Sequence, residues 1–209
     1  MSATTIDYID EGKKLSHGSL YALLSYRGEL GAWEWSFLIP NWSVKPVGRE
    51  GTLFYVKIIT SASVNSTSTL SSTNPNPSSH SHYNADAEIK PHWNFSMDTV
   101  DILSSAEAVA LVRLADIGDL GTYEDIVGEN GIRSMFQVVQ IPDARLPIPQ
   151  DFSSRTWFLD VMGNLADCGV CQCEDVWLLE REIRRFAFSA MDKYMQNRGY
   201  TVFVAEKSS

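Results

Sequence analysis

The sequence predicts an α+β fold, an antiparallel sheet packed against C-terminal helices. Two patterns carry this expectation. The first two-thirds of the chain holds short aromatic and β-branched runs punctuated by glycine and proline. The last third holds two stretches whose apolar residues recur at helical spacing. The chain has 209 residues, 44% hydrophobic and 21% charged, enough to bury one core without disulfides or metals. No repeat or linker divides it, so residues 1–209 read as a single domain.

Residues 19–26 and 33–39 are short and apolar and read as strands, with Gly28 and Gly31 forming a hairpin between them. Pro40, Pro46 and Gly48 mark a loop. Residues 52–59 form the next strand, rich in β-branched and aromatic side chains. Residues 60–82 are Ser, Thr, Asn, Pro and His with hardly an apolar side chain, and read as a disordered loop or a lid. Residues 86–97 read as a strand, 107–116 as either helix or strand, and 135–141 as a further strand. Thr122 caps a short helix to Val127, with an acid three residues on. The prolines at 142, 147 and 149 make that segment an extended connection. One helix starts near Ser153 or Ser154 and ends at Gly169. A second runs over about 174–197, its stripe made by Val176, Leu179, Ile183, Phe186, Ala187, Ala190 and Tyr194. Gly199 stops it, and Tyr200 to Val204 closes as a last strand.

Charge excludes some partners. Seventeen basic against 26 acidic residues give a net charge of −9, which disfavours nucleic acid and anionic membrane surfaces. No apolar run approaches the ~18 residues of a transmembrane span, and the N-terminus has no signal-like pattern, so a cytoplasmic location is expected. Cys168, Cys171 and Cys173 are an odd, clustered set with no second ligand pair elsewhere, so they read as reduced thiols rather than a disulfide or metal site. No phosphate-binding, dinucleotide, zinc-protease or nucleophile-elbow motif is present, and no cofactor is expected. His17, His80, His82 and His92 are scattered through polar stretches. The oligomeric state is not legible.

The run Asp151-Phe-Ser-Ser-Arg-Thr-Trp157 resembles a family of small fungal proteins of unassigned function whose helix begins Asn-Cys-Arg-Thr-Trp. Members of that family carry a His-Trp pair in an early strand and Gly-Thr-x-Tyr-His in the next. Here the matching stretches are Trp33-Glu-Trp-Ser36 and Gly51-Thr-Leu-Phe-Tyr55. The likeness runs from about Leu20 to Tyr194, and Arg155-Thr156-Trp157 is its most specific part. The order of two histidine strands and then a cysteine at a helix N-terminus is similar to the permuted papain-like architecture of lecithin:retinol acyltransferase-like proteins. That resemblance implies a cleft between helix and sheet. Its cysteine position is Ser154 here, and its histidine positions are Glu34 and Tyr55. A thiolate mechanism is therefore absent.

A cleft without its nucleophile admits several functions. The favoured one is a cofactor-free enzyme that cyclises or isomerises a hydrophobic small molecule, a Diels–Alder-type cycloaddition first, in fungal specialised metabolism as the resemblance implies. Glu34 and Tyr55 would donate hydrogen bonds to a substrate carbonyl, beside Ser154. Trp33, Trp35, Arg155 and Trp157 would bind the substrate. Burial among apolar groups should raise the Glu34 pKa. The competing reading pairs Glu34 with an arginine such as Arg155, makes Ser154 a helix cap, and leaves Arg155, Thr156 and Trp157 as packing. The whole protein is then a noncatalytic binding or interaction protein. A third reading makes Ser154 the nucleophile of a hydrolase or acyltransferase, which requires a base at hydrogen-bond distance. An enclosed apolar pocket lined by Glu34, Tyr55 and Ser154 would favour the enzyme; a filled one would favour the binding protein.

Overall fold

The structure is a computed structural model that describes residues 14–60, 91–144 and 147–208. Its strands are β1 (Ser19–Tyr26), β2 (Trp33–Pro40), β3 (Gly51–Ile59), β4 (His92–Val100), β5 (Ala108–Asp116) and β6 (Thr201–Val204). All six form one sheet in the order β4-β3-β2-β1-β5-β6. Every neighbouring pair is antiparallel except β5 with β6, which is parallel. The parallel pair follows from the chain path, because all four helices lie between β5 and β6 in sequence. These are α1 (Tyr123–Val127), α2 (Ile132–Gln137), α3 (Ser154–Asp167) and α4 (Val176–Met195). The α+β class expected from the sequence is the class observed.

Period-two alternation sorts the sheet into two faces. Leu20, Ala22, Leu24, Trp33, Trp35, Phe37, Ile39, Phe54 and Val56 join the core under the helices. Tyr21, Leu23, Leu38, Ala108 and Leu111 point the other way, into a smaller cluster closed by Leu15, Ile102 and Tyr200. The central strands are therefore buried on both faces. That explains why 107–116 showed no clean alternation: residues 108–112 are all buried, so the polar half of the period is missing.

Turn and cap residues act as their chemistry dictates. Gly28 and Gly31 both have positive φ in the β1–β2 hairpin, a region that side-chain-bearing residues rarely occupy. A Cβ at Gly31 would also lie 3.2 Å from the Phe188 ring. Thr122 and Asp125 form a capping box on α1. Asp175 caps α4 by accepting from the N–H groups of Trp177 and Leu178.

Residues 132–137 correct the strand expected at 135–141: they are helix α2. Ile132 and Phe136, one helical turn apart, both reach the core, and Gly131 starts the helix. The adjacent Val138 and Val139 gave the false strand signal; Val138 is exposed at the helix end. The polar stretch at 61–82 lies outside the described residues, as does the start of the strand expected at 86–97; β4 begins at His92.

Candidate functional site

The sheet forks at its centre. Strand β3 pairs with β4 along its whole length, but with β2 only from Phe37↔Phe54 to Pro40↔Gly51. Residues 33–36 of β2 still pair with β1 and have no β3 partner. The head of α3 comes to this gap: the Trp35 backbone N–H donates to Ser154 Oγ at 3.3 Å, across 119 residues of sequence. A side chain thus replaces a strand as acceptor for a buried amide.

Ser154 is 2% exposed. Its hydroxyl is also near enough to the Glu34 carboxyl to lower that group's pKa. The helix cap is not Ser154 but Ser153, whose hydroxyl accepts from the Thr156 N–H while Thr156 Oγ1 accepts from the Ser153 N–H. Ser154 is the first helical residue, which frees its side chain for the fork.

Glu34 is held by Arg27, whose Nε lies 3.2 Å from Glu34 Oε2. Burial pushes the Glu34 carboxyl above its ordinary value, while the Arg27 guanidinium and the Ser154 hydroxyl pull it back. The rise agrees with the sequence expectation. Arg27 and Ser154 both favour the carboxylate, but burial, which favours the neutral acid, outweighs them.

Arg155 does not pair with Glu34. Its Nε donates to Glu180 Oε1 at 2.8 Å, and Arg184 Nη1 lies 3.6 Å from the same oxygen. The Glu180 side chain is only 3% exposed, so its charge depends on these two partners. The Arg155 guanidinium also lies over the Trp177 ring.

The motif Arg155-Thr156-Trp157 therefore has three structural tasks: an ion pair, a capping box and a core side chain. Trp157 is fully buried, edge-on to Phe37 and close to Phe95 and Phe136, and its indole N–H has no hydrogen-bond partner. Trp35 packs on Phe158 and Trp33 stands edge-on to Phe188.

Tyr55 lies elsewhere. It sits on the part of β3 that has left β2, and its hydroxyl donates to Asp98 on β4 and accepts from Lys57 at 3.0 Å. Burial and the Asp98 carboxylate both raise its pKa. The structure thus brings Glu34 and Ser154 together and leaves Tyr55 out, a correction to the three-residue site expected from sequence.

Beside Ser154 the surface opens into a recess of about 430 Å³, its walls formed by Arg27, Glu29, Trp33, Trp35, Arg155 and Arg184, with Ser153 and Ser154 at the helix head. This is an open, charged recess rather than an enclosed apolar pocket. Trp157 lies beneath it in the core and does not line it. Arg27, Glu180 and Arg184 were missed in the sequence. The Glu180–Arg184 pair at i, i+4 on α4 was legible there; the Arg27 contact was not, because it depends on the hairpin.

The cysteines do not form a reactive centre. Burial pushes the Cys171 thiol up to about 12 and raises that of Cys173 as well, while Cys168 is exposed. Among the described residues, no group of three or more His, Cys, Asp or Glu is placed to hold a metal ion. None of the described helices is long and apolar enough to cross a membrane. Comparison with family models, curated proteins and solved structures found no match.

Proposed function

We propose that the protein is a noncatalytic binding protein, built on a permuted papain-like scaffold whose cleft survives as a ligand recess. The observation that carries this reading is the engagement of Ser154. Its hydroxyl accepts from Trp35 N–H and is almost wholly buried, so it ties α3 into the forked sheet. The Glu34 carboxylate oxygen is already paired with the Arg27 guanidinium, so it is engaged within the protein rather than aimed at a substrate carbonyl. The recess is open and charged, a poor enclosure for folding a flexible apolar substrate.

One observation favours a second reading, the cofactor-free cyclase or isomerase: burial raises the Glu34 pKa beside a recess of small-molecule size. Deleting the gene in its source organism and restoring wild type, Ser154→Ala or Glu34→Gln separates the two. A binding protein predicts that both folded variants restore the metabolite profile seen by mass spectrometry. Failure of Glu34→Gln, with a compound accumulating that is isomeric with the missing product, would establish the cyclase instead. Failure of Ser154→Ala, with a mass difference of water or an acyl group, would make Ser154 a nucleophile.

A further inference from the structure

We propose that the recess binds a small organic carboxylate, its acid group met by Arg155 and Arg184 and its apolar body lying towards Trp33 and Trp35; this rests on the binding-protein reading. Three arginines line the recess, and each is anchored through a single nitrogen: Arg27 Nε on Glu34, Arg155 Nε and Arg184 Nη1 on Glu180. A guanidinium carries five N–H donors, so most of each fork remains available after its anchor is made. Anchoring also fixes the long side chain in advance, which lowers the entropy lost on binding. Arg155 is held twice, by Glu180 and by the Trp177 ring. All three arginine side chains are about half exposed, whereas Glu180 is buried behind its two. The donors therefore face the ligand and one carboxylate backs them.

Charge selects the class of anion. Arg27, Arg155 and Arg184 are balanced by Glu34, Glu180 and the recess residue Glu29. With no surplus positive charge, a dianion such as phosphate is poorly compensated. A monoanionic, planar carboxylate needs only the directed N–H pairs that a guanidinium presents in its plane. Trp33 and Trp35 also line the recess but are only 6% and 2% exposed, so they give it narrow apolar edges, and about 430 Å³ admits a ring with a short side chain.

The test titrates the full-length protein with phenylacetate, using 2-phenylethanol and inorganic phosphate as comparators. Binding is read from the arginine Nε–H and tryptophan indole N–H resonances by NMR. Saturable binding of phenylacetate is expected, with 2-phenylethanol and phosphate each at least about tenfold weaker. Arg184→Gln should weaken phenylacetate by about tenfold while the fold is kept, because Arg155 still holds Glu180. Arg27→Gln, on another element, should weaken it too. Equal affinity in both variants, equal affinity for the neutral alcohol, or no saturable phenylacetate binding would overturn the proposal. The outcome is separable from that of the parent reading. If Ser154→Ala fails to restore the organism while phenylacetate still binds, the noncatalytic reading falls and the carboxylate site stands. If Ser154→Ala restores it and phenylacetate does not bind, the reverse holds.

Discussion

Strand β2 has two halves with different neighbours. From Phe37 to Pro40 it is paired with β3, with Phe37 and Leu38 paired to β1 as well, and both of its faces are buried: Phe37 stacks on Phe158 and Phe136 below the helices, and Leu38 enters the opposite cluster. From Trp33 to Ser36 it keeps β1 and loses β3. There the backbone turns to Ser154, Glu34 is reached by Arg27, and the surface opens into the recess. A few residues separate a close-packed interior from a polar, ligand-sized opening. The difference teaches that the site is made by giving up strand pairing. An amide left without its ladder partner calls for a polar group, and the polar groups that gather there can also face a ligand.

The paired half should be the costlier one to damage. Trp157→Ala removes a fully buried ring from beneath it and should cost about 3–5 kcal/mol in urea unfolding. A loss under about 1 kcal/mol would show that the interior collapses around the gap, and would break the contrast. In the open half, Ser154→Ala orphans the buried Trp35 N–H. It should cost about 1–3 kcal/mol and leave the protein folded. A neutral effect would mean that the fork needs no side-chain acceptor.

Much of this architecture was legible in the chain. Trp33, Trp35 and Phe37 sit two apart, so their common face could be read, and the caps at Thr122 and the start of α3 followed from local chemistry. Residues 135–137 were read as strand rather than helix because a short helix carries too few turns for its period to outweigh two adjacent valines. The site was half legible. Ser154 and Glu34 do come together, but Tyr55, assigned from the resemblance, lies where β3 has left β2. No local signal marks where two strands part, since that depends on what α3 inserts between them. Arg27 was missed for a related reason: its partner is fixed by the hairpin turn, not by spacing within one element.

Glu34→Gln sharpens the comparison through pH. The folded-state pKa of Glu34 is raised, chiefly by burial, so between the ordinary carboxylate value and the folded value the native state holds more protons than the unfolded chain. Its stabilising contribution is present below the ordinary value and is lost as pH rises through the folded one. The stability of wild type minus that of Glu34→Gln should therefore fall with rising pH across that window. A difference that instead rises would show that Arg27 and Ser154 outweigh burial.

Tyr55→Phe should have the smallest effect. The lost hydroxyl joins Asp98 and Lys57 at the surface of the β3–β4 pair, where such contacts contribute under about 1 kcal/mol. Its aromatic ring is retained, and Asp98 and Lys57 can pair with each other or with water once the hydroxyl is gone. Because Tyr55 does not line the recess, phenylacetate affinity should be the same in Tyr55→Phe as in wild type. That equality is the sharpest check on the boundary of the site. If Tyr55→Phe weakened phenylacetate as much as Arg184→Gln, the two separated strand edges would have to act on one ligand. The fork would then close in solution around a single site, and the three-residue constellation of Glu34, Tyr55 and Ser154 would return with the cyclase reading.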